Sequence, residues 1–154
     1  MAKKKRSTGT ISNRRARFEY DLGDSFVAGL ELTGAETKAL RKHQGNLKGA
    51  FVTVKDNELW LTNATITGDA AARVPEEEHN RARKLLMKRK EIDALISAKH
   101  QGQNIVPLEI LSRGRFIKLR ISLGKGKRTI DKRSTIKRRE DKIEAERAIK
   151  QHSR

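Results

Sequence analysis

What most limits the folds open to this chain is where its large apolar side chains fall. All six aromatic residues, Phe18, Tyr20, Phe26, Phe51, Trp60 and Phe116, lie between positions 18 and 116. Residues 1–17 and 125–154 hold only Met1, Ile11, Ile130, Ile136, Ile143 and Ile149 as large apolar groups, too few to offset the entropy of ordering those segments. One core is therefore expected, in the middle, with an extension at each end. The charge divides at the same places. Of a total of +17, residues 1–17 carry +7 with no acid, residues 125–154 carry +7, and the 107 residues between them carry +3. A chain of 154 residues suits a single domain with arms.

A folded body with two polycationic extensions is the footprint of a nucleic-acid binder, because each phosphate neutralised by Lys or Arg releases counterions. Solubility alone would not concentrate the excess at both ends. Catalytic constellations are weak. There is no HExxH, GxSxG or GxGxxG, and Gly124 to Thr129 lacks the spacing of a phosphate loop. His43, His79, His100 and His152 are scattered with no metal-ligand spacing, and the consecutive Glu76, Glu77 and Glu78 cannot converge on an ion without other ligands. The chain has no Cys, which excludes disulfides and thiol catalysis and fits a reducing compartment. No enzyme, cofactor or metal site is expected. No apolar run approaches the roughly 20 residues of a membrane span, so a cytoplasmic protein without a membrane partner is expected.

The pattern of elements is mostly β. Phe18, Tyr20 and Leu22 alternate with acids as in a half-buried strand, and Gly23-Asp24 reads as a turn into a second strand, Ser25 to Leu32. Thr33 with Glu36 three residues on is a capping box for a helix to Gln44, stopped by Gly45. Asp56-Asn57 joins two strands as a tight hairpin. Asp69 to Asn80 is a loop. A helix follows within Arg81 to His100, and Lys84 to Met87 is equally readable as a short strand before it. Gln103 to Ser112 and Arg115 to Leu123 are strands, the second with one apolar and one basic face. About six strands and two or three helices close most economically as a small antiparallel barrel of the oligonucleotide-binding type, with helices packed on it. Gly124 to Arg128 reads as a flexible basic hinge. Ser134 to Arg154 is rich in helix formers, but Ile136, Ile143 and Ile149 make a thin stripe, so this tail is expected to be disordered when free and helical on a partner.

Binding chemistry flanks the strands. Asn13, Arg14, Arg15 and Arg17 precede the first strand, and Arg81, Arg83 and Lys84 precede Leu85-Leu86. Guanidinium groups suit bidentate phosphate recognition, and an Asn amide both donates and accepts at a base edge or sugar hydroxyl.

Several short motifs, in fixed order, resemble a known family. They are Asn13-Arg14-Arg15-Ala16-Arg17, Phe26-Val27-Ala28-Gly29-Leu30, Leu32 to Arg41, Asn46-Leu47-Lys48, Arg83-Lys84-Leu85-Leu86, Arg89-Lys90-Glu91-Ile92, Val106-Pro107-Leu108, and Lys125-Gly126-Lys127-Arg128 with Asp131-Lys132-Arg133. Together they resemble the small protein B family, the SsrA-binding proteins of trans-translation, from about Ile11 to the C-terminus. The resemblance implies a non-enzymatic protein that binds the transfer-RNA-like part of transfer-messenger RNA and delivers it to stalled ribosomes, one monomer per RNA, with a tail in the messenger channel and decoding region of the small subunit.

Carried over by motif and by strand-flanking position, Asn13, Arg15, Arg17, Lys38, Arg41, Arg83, Lys84, Leu86 and Lys118 are the candidates for binding RNA or supporting the face that does. Lys125, Lys127, Arg128, Ile130, Asp131, Lys132 and Arg133 are the candidates for engaging the ribosome. The expected division is a basic arm over residues 1–12, a binding domain over 13–124 and a tail over 125–154. Two positions depart from the family: Val27 stands where Glu is usual, and Ile130 where His or an aromatic residue is frequent. A ribosomal or ribosome-assembly RNA-binding protein is the rival reading.

Overall fold

The alternation of apolar and polar residues in the middle of the chain builds one curled antiparallel sheet. The computed structural model describes residues 10–152, except for the side chains of Thr129 and Asp131. Residues 1–9 of the basic arm, and residues 153–154, lie outside the described residues. In chain order the elements are β1 (Thr10–Ser12), α1 (Ala16–Glu19), β2 (Tyr20–Leu30), α2 (Gly34–Arg41), β3 (Gly45–Asn46), β4 (Phe51–Lys55), β5 (Glu58–Thr62), β6 (Thr65–Ile66), a 3-10 turn (Glu76–Glu78), β7 (Arg83–Leu86), α3 (Arg89–His100), β8 (Asn104–Leu111), β9 (Lys118–Gly126) and α4 (Thr129–His152). Seven strands form the main sheet in the order β1-β8-β9-β2-β7-β5-β4, and β3 pairs with β6 apart from it.

The closed six-stranded barrel expected from the element pattern is corrected to an open seven-stranded ladder, whose edges among the described residues are β1 and β4. The sheet curls until β4 packs beside β8, but no ladder joins them. Helix α3 takes part of the hydrogen bonding that a strand would need: Lys99 Nζ donates to the carbonyl of Val52 on β4 at 3.3 Å. Inside the curl, Leu40, Leu59, Leu61, Leu85, Leu95, Ile110, Leu119 and Ile121 are fully buried; the contiguous core is aliphatic, with Phe26 only partly buried against it and Phe51 and Phe116 exposed.

Local chemistry explains where elements begin and end. Thr33 caps α2: its Oγ1 accepts from Glu36 N at 3.2 Å, and Glu36 Oε2 accepts from Thr33 N at 3.1 Å. The helix stops earlier than Gly45, at Arg41, where His43 takes the left-handed conformation at φ +59°. Asp56 and Asn57, at φ +52° and +57°, make the two-residue hairpin between β4 and β5. Residues 84–87, open between strand and helix in the sequence, are strand through Leu86.

Three expectations near the ends change. Phe18 and Glu19 belong to α1, because Asn13 N donates to Leu108 O at 2.7 Å and buried Ala16 turns the chain into a helix before β2 starts. Gly23-Asp24 is a β-bulge within β2: the register steps from Leu22↔Gly124 to Ser25↔Ser122, leaving two residues opposite one. The carbonyls of Gly23 and Asp24 share the Ser122 hydroxyl at 3.2 and 3.1 Å. Gly124 to Gly126 is paired strand, not hinge, since β9 runs on against Tyr20, Asp21 and Leu22. A Cβ at Gly124 would stand 3.0 Å from Asp21 O and 3.3 Å from both Leu22 Cδ2 and Tyr20 Cβ, so the close strand approach needs glycine there. The sheet thus reaches past both ends of residues 13–124, through β1 and through Gly126.

Helix α4 starts at Thr129, before Ser134, and is 24 residues long, about 36 Å at 1.5 Å per residue. Its Ile136, Ile143 and Ile149 are 43%, 48% and 69% exposed. It packs on α1, where the Arg139 guanidinium lies 6.0 Å from the centre of the Phe18 ring. No helix among the described residues is long and apolar enough to cross a membrane.

A candidate nucleic-acid interface

Strand alternation sorts the basic residues into those that face solvent and those that do not. On β7, Arg83 and Leu85 point into the core while Lys84 and Leu86 point out. On β2 and β9 the outward pairs are Val27↔Arg120 and Gly29↔Lys118, and Leu86 lies across from Gly29 on the other side. The outer face therefore carries Lys118 and Arg120 beside an apolar strip, with Val27 46% and Leu86 51% exposed. Arg120 is partly neutralised by Glu109, its ladder partner on β8.

At one end of this face, α1 and the bulge of β2 enclose a groove of about 870 Å³. Arg14, Arg17, Arg120, Lys127 and Arg139 line it, with Asp21 and Glu109 as the acids. A smaller pocket of about 340 Å³ next to it gathers Arg14, Arg15, Asn46 and Lys48. Cations from four separate chain segments converge here, the arrangement that suits a run of phosphates. Among the described residues no group of three His, Cys, Asp or Glu is placed to hold a metal ion.

Each residue singled out in the sequence has a definite place. Asn13 is half-buried, and its Nδ2 donates to Pro107 O at 2.9 Å, fixing the turn between β1 and α1 on β8. Arg15 and Arg17 are exposed, in the smaller pocket and the groove respectively. Lys38 and Arg41 are exposed on α2, but Arg41 spends three donors on the carbonyls of Ser112, Gly114 and Arg115. Lys84 is half-buried opposite Trp60. Lys125 pairs with Asp21 in the ladder, and Lys127 N donates to Glu19 O at 2.8 Å. Arg128 and Arg133 are exposed, Lys132 is half-buried and Ile130 is 75% exposed. The side chain of Asp131 lies outside the described residues.

Arg83 does not face solvent. It is fully buried, and its guanidinium donates to Glu36 Oε1 at 3.1 and 3.2 Å and to the carbonyls of Ala64, Arg81, Glu78 and His79. Glu36 is buried with it because the capping residue shares the inner face of α2 with Ala39 and Leu40. Arg81 closes the triad with two bonds of 2.7 Å to Glu36. Burial would raise the Glu36 pKa, but the Arg81 bond, the Thr33 N–H and the Arg83 charge together hold it below the ordinary glutamate value. Burial lowers the Arg83 pKa despite the nearby Glu36, whereas the Glu36 bond raises that of Arg81. The Arg83 guanidinium thus has all its partners inside the protein and no exposed surface.

The groove also contains residues that the sequence reading did not single out. Arg139 sits far along the tail and reaches the groove only because α4 packs on α1. Arg120 was legible as one of the basic residues alternating along β9.

A family model described as SmpB protein matches residues 10–151. The chain belongs to the SmpB family. It is 43% identical over 143 residues to the SsrA-binding protein of Halalkalibacterium halodurans, covering 92% of this chain and 93% of that one. It is 39% identical over 155 residues to the SsrA-binding protein of Trichormus variabilis, covering 99% and 100%. The SsrA-binding protein of Maricaulis maris is 43% identical over 155 residues, with 99% of each chain covered. Among solved structures, a chain of "tmRNA-SmpB: a journey to the center of the bacterial ribosome" superposes with a TM-score of 0.64 at 32% identity, over 79% of this chain and 86% of that one. The match from residue 10 to residue 151 takes in the sheet, the groove and all but the last residue of the SmpB-family tail helix.

Proposed function

We propose that this SmpB-family chain binds transfer-messenger RNA through its transfer-RNA-like part and brings it to stalled ribosomes for trans-translation, as a cytoplasmic, non-enzymatic RNA-binding protein. The observation that carries the reading is the convergence of Arg14, Arg17, Arg120, Lys127 and Arg139 on one groove, in a chain alike in fold to one in a tmRNA-SmpB structure of the ribosome. The curled sheet acts as a module of the oligonucleotide-binding type. Its outer face and groove hold the RNA through Arg15, Arg17, Lys38, Lys84, Leu86 and Lys118, with Asn13, Arg41 and Arg83 holding the loops and strands beneath.

The tail, Lys125 to Arg154, engages the messenger channel and decoding region of the small subunit, led by Lys125, Lys127, Arg128, Ile130, Asp131, Lys132 and Arg133. Its helix leaves the body at α1 and spans about 36 Å. Its isoleucines stay largely exposed, so it is frayed in the free protein and ordered by phosphates on the ribosome. One monomer serves one RNA.

Recovery and sequencing of the RNA that co-purifies with the protein from its own cell tests the reading. Transfer-messenger RNA as the dominant species is expected. Stoichiometric presence in salt-washed ribosomes with no transfer-messenger RNA would overturn it in favour of a ribosomal or assembly protein.

A further inference from the structure

The loop between β8 and β9 holds the most exposed large aromatic among the described residues. Phe116 is 67% exposed, although Ser112 before the loop tip and Ile117 directly after Phe116 are buried, at 7% and 6%. An exposed ring flanked by buried anchors is a fixed projection, and a second device holds it. Arg41 reaches from α2 and donates to Ser112 O at 3.3 Å, Gly114 O at 3.0 Å and Arg115 O at 3.0 Å. Gly114, at φ +86°, supplies the left-handed residue on which this wrapping depends. The Arg115 guanidinium lies 5.6 Å from the ring centre, over one face of Phe116. At 67% exposure the ring keeps open surface for a partner.

The chemistry around the ring selects that partner. From Ile110 to Ile130 there is no acidic residue, while Arg113, Arg115, Lys118 and Arg120 follow within ten positions. Arg41 adds another cation, and Lys38 lies one turn earlier on α2. An apolar protein groove has no use for so much positive charge, whereas a nucleotide offers a flat π-face for the ring and a phosphate for its flanking arginines. We propose that Phe116 is a stacking platform for one unpaired RNA base, clamped on its far face by Arg115 and held in position by Arg41. The proposal rests on the RNA-binding reading above and adds a residue and a ligand chemistry that no motif of the sequence assigns. Because the loop is pinned in the free protein, little ordering entropy opposes stacking.

The test compares the full-length protein with Phe116→Ala and Phe116→Trp on two RNA probes of equal length and charge, a hairpin with an unpaired loop and a blunt duplex. Phe116→Ala is expected to lose about 5- to 150-fold on the hairpin, the equivalent of one base–aromatic stack. On the duplex it should change by no more than about twofold, since phosphate contacts alone hold that probe. Phe116→Trp should retain hairpin binding. Unfolding midpoints of the variants should match wild type, because the ring buries little. Equal losses on both probes, or no loss on the hairpin, would overturn the stacking role. Failure of the wild-type protein to bind either probe would instead sink the RNA-binding reading itself.

Discussion

Arg83 separates a structural cation from a binding one, and Arg83→Met tests which it is. The substitution keeps an unbranched side chain of similar reach but removes every donor. Glu36 Oε1 loses bonds of 3.1 and 3.2 Å, and the carbonyls of Ala64, Arg81, Glu78 and His79 lose theirs, all at a fully buried position. Arg81 stays on Glu36, but it is partly exposed, and the carboxylate loses the cation that is fully buried with it. Breaking a buried pair while its network remains costs about 3–5 kcal/mol, which for a chain of this size lowers Tm by roughly 6–20 °C at about 2–4 °C per kcal/mol. Thermal unfolding followed by circular dichroism measures the loss, and a titration below the lowered Tm measures RNA affinity of the folded fraction. Affinity should change by no more than about threefold, under 1 kcal/mol, because the guanidinium has no exposed surface to offer a phosphate. The double substitution Glu36→Gln/Arg83→Met should recover part of the loss, since Gln still serves the capping box and the buried carboxylate charge is gone. A Tm for Arg83→Met within about 1 °C of wild type, with RNA affinity down more than about tenfold, would refute the reasoning and return Arg83 to the binding surface.

Other outcomes follow from the same geometry. Gly124→Val should separate β9 from β2 and loosen the root of the tail, seen as faster amide exchange at Tyr20 to Leu22, because its Cβ would stand 3.0 Å from Asp21 O. Glu36 and Asp69 both have depressed pKa values, so the stability they add is complete above the ordinary carboxylate values and is lost as pH falls through their folded ones. For Asp69 that folded value is about 2, set first by the Gln44 bond, then by Lys42 and the Ala72 N–H, and acid titration of Asp69→Asn should lack this component. Deleting residues 131–154 should abolish tagging of stalled chains while RNA affinity falls only by the share of Arg139, about one phosphate contact in the salt dependence.

The sequence carried local geometry well and sidedness poorly. The capping box at Thr33 and Glu36 and the Asp56-Asn57 hairpin are decided by side chains within four residues, and both form as read. Gly23-Asp24 has turn chemistry too, yet becomes a bulge, because Ser122, distant in sequence, offers its hydroxyl to both carbonyls. Glycines 124 and 126 suggested a hinge for the same reason: their role comes from the strand opposite. That the sheet stays open between β4 and β8 was equally illegible, since the Lys99–Val52 contact at that edge joins residues 47 apart.

The candidate site divides along the same line. Arg83 and Lys84 are adjacent cations in one motif, and the strand's two-residue period sends one into the core and the other to the surface. Had Arg83-Lys84-Leu85-Leu86 been taken as strand, with Leu85 inward, Arg83 would have been inward too, and a buried arginine requires a buried acid. Glu36, read from the sequence only as the capping-box partner of Thr33, stands three and four residues before Ala39 and Leu40 and so shares their face of α2. The pairing that buries Arg83 was therefore present in two periodicities, about 3.6 residues on α2 and two on β7, and needed only their phases to be combined. Arg139 offers no such route. It joins the groove through a contact between α4 and α1 that no local period encodes, and the total charge of +17 is silent on which of its 36 basic residues converge.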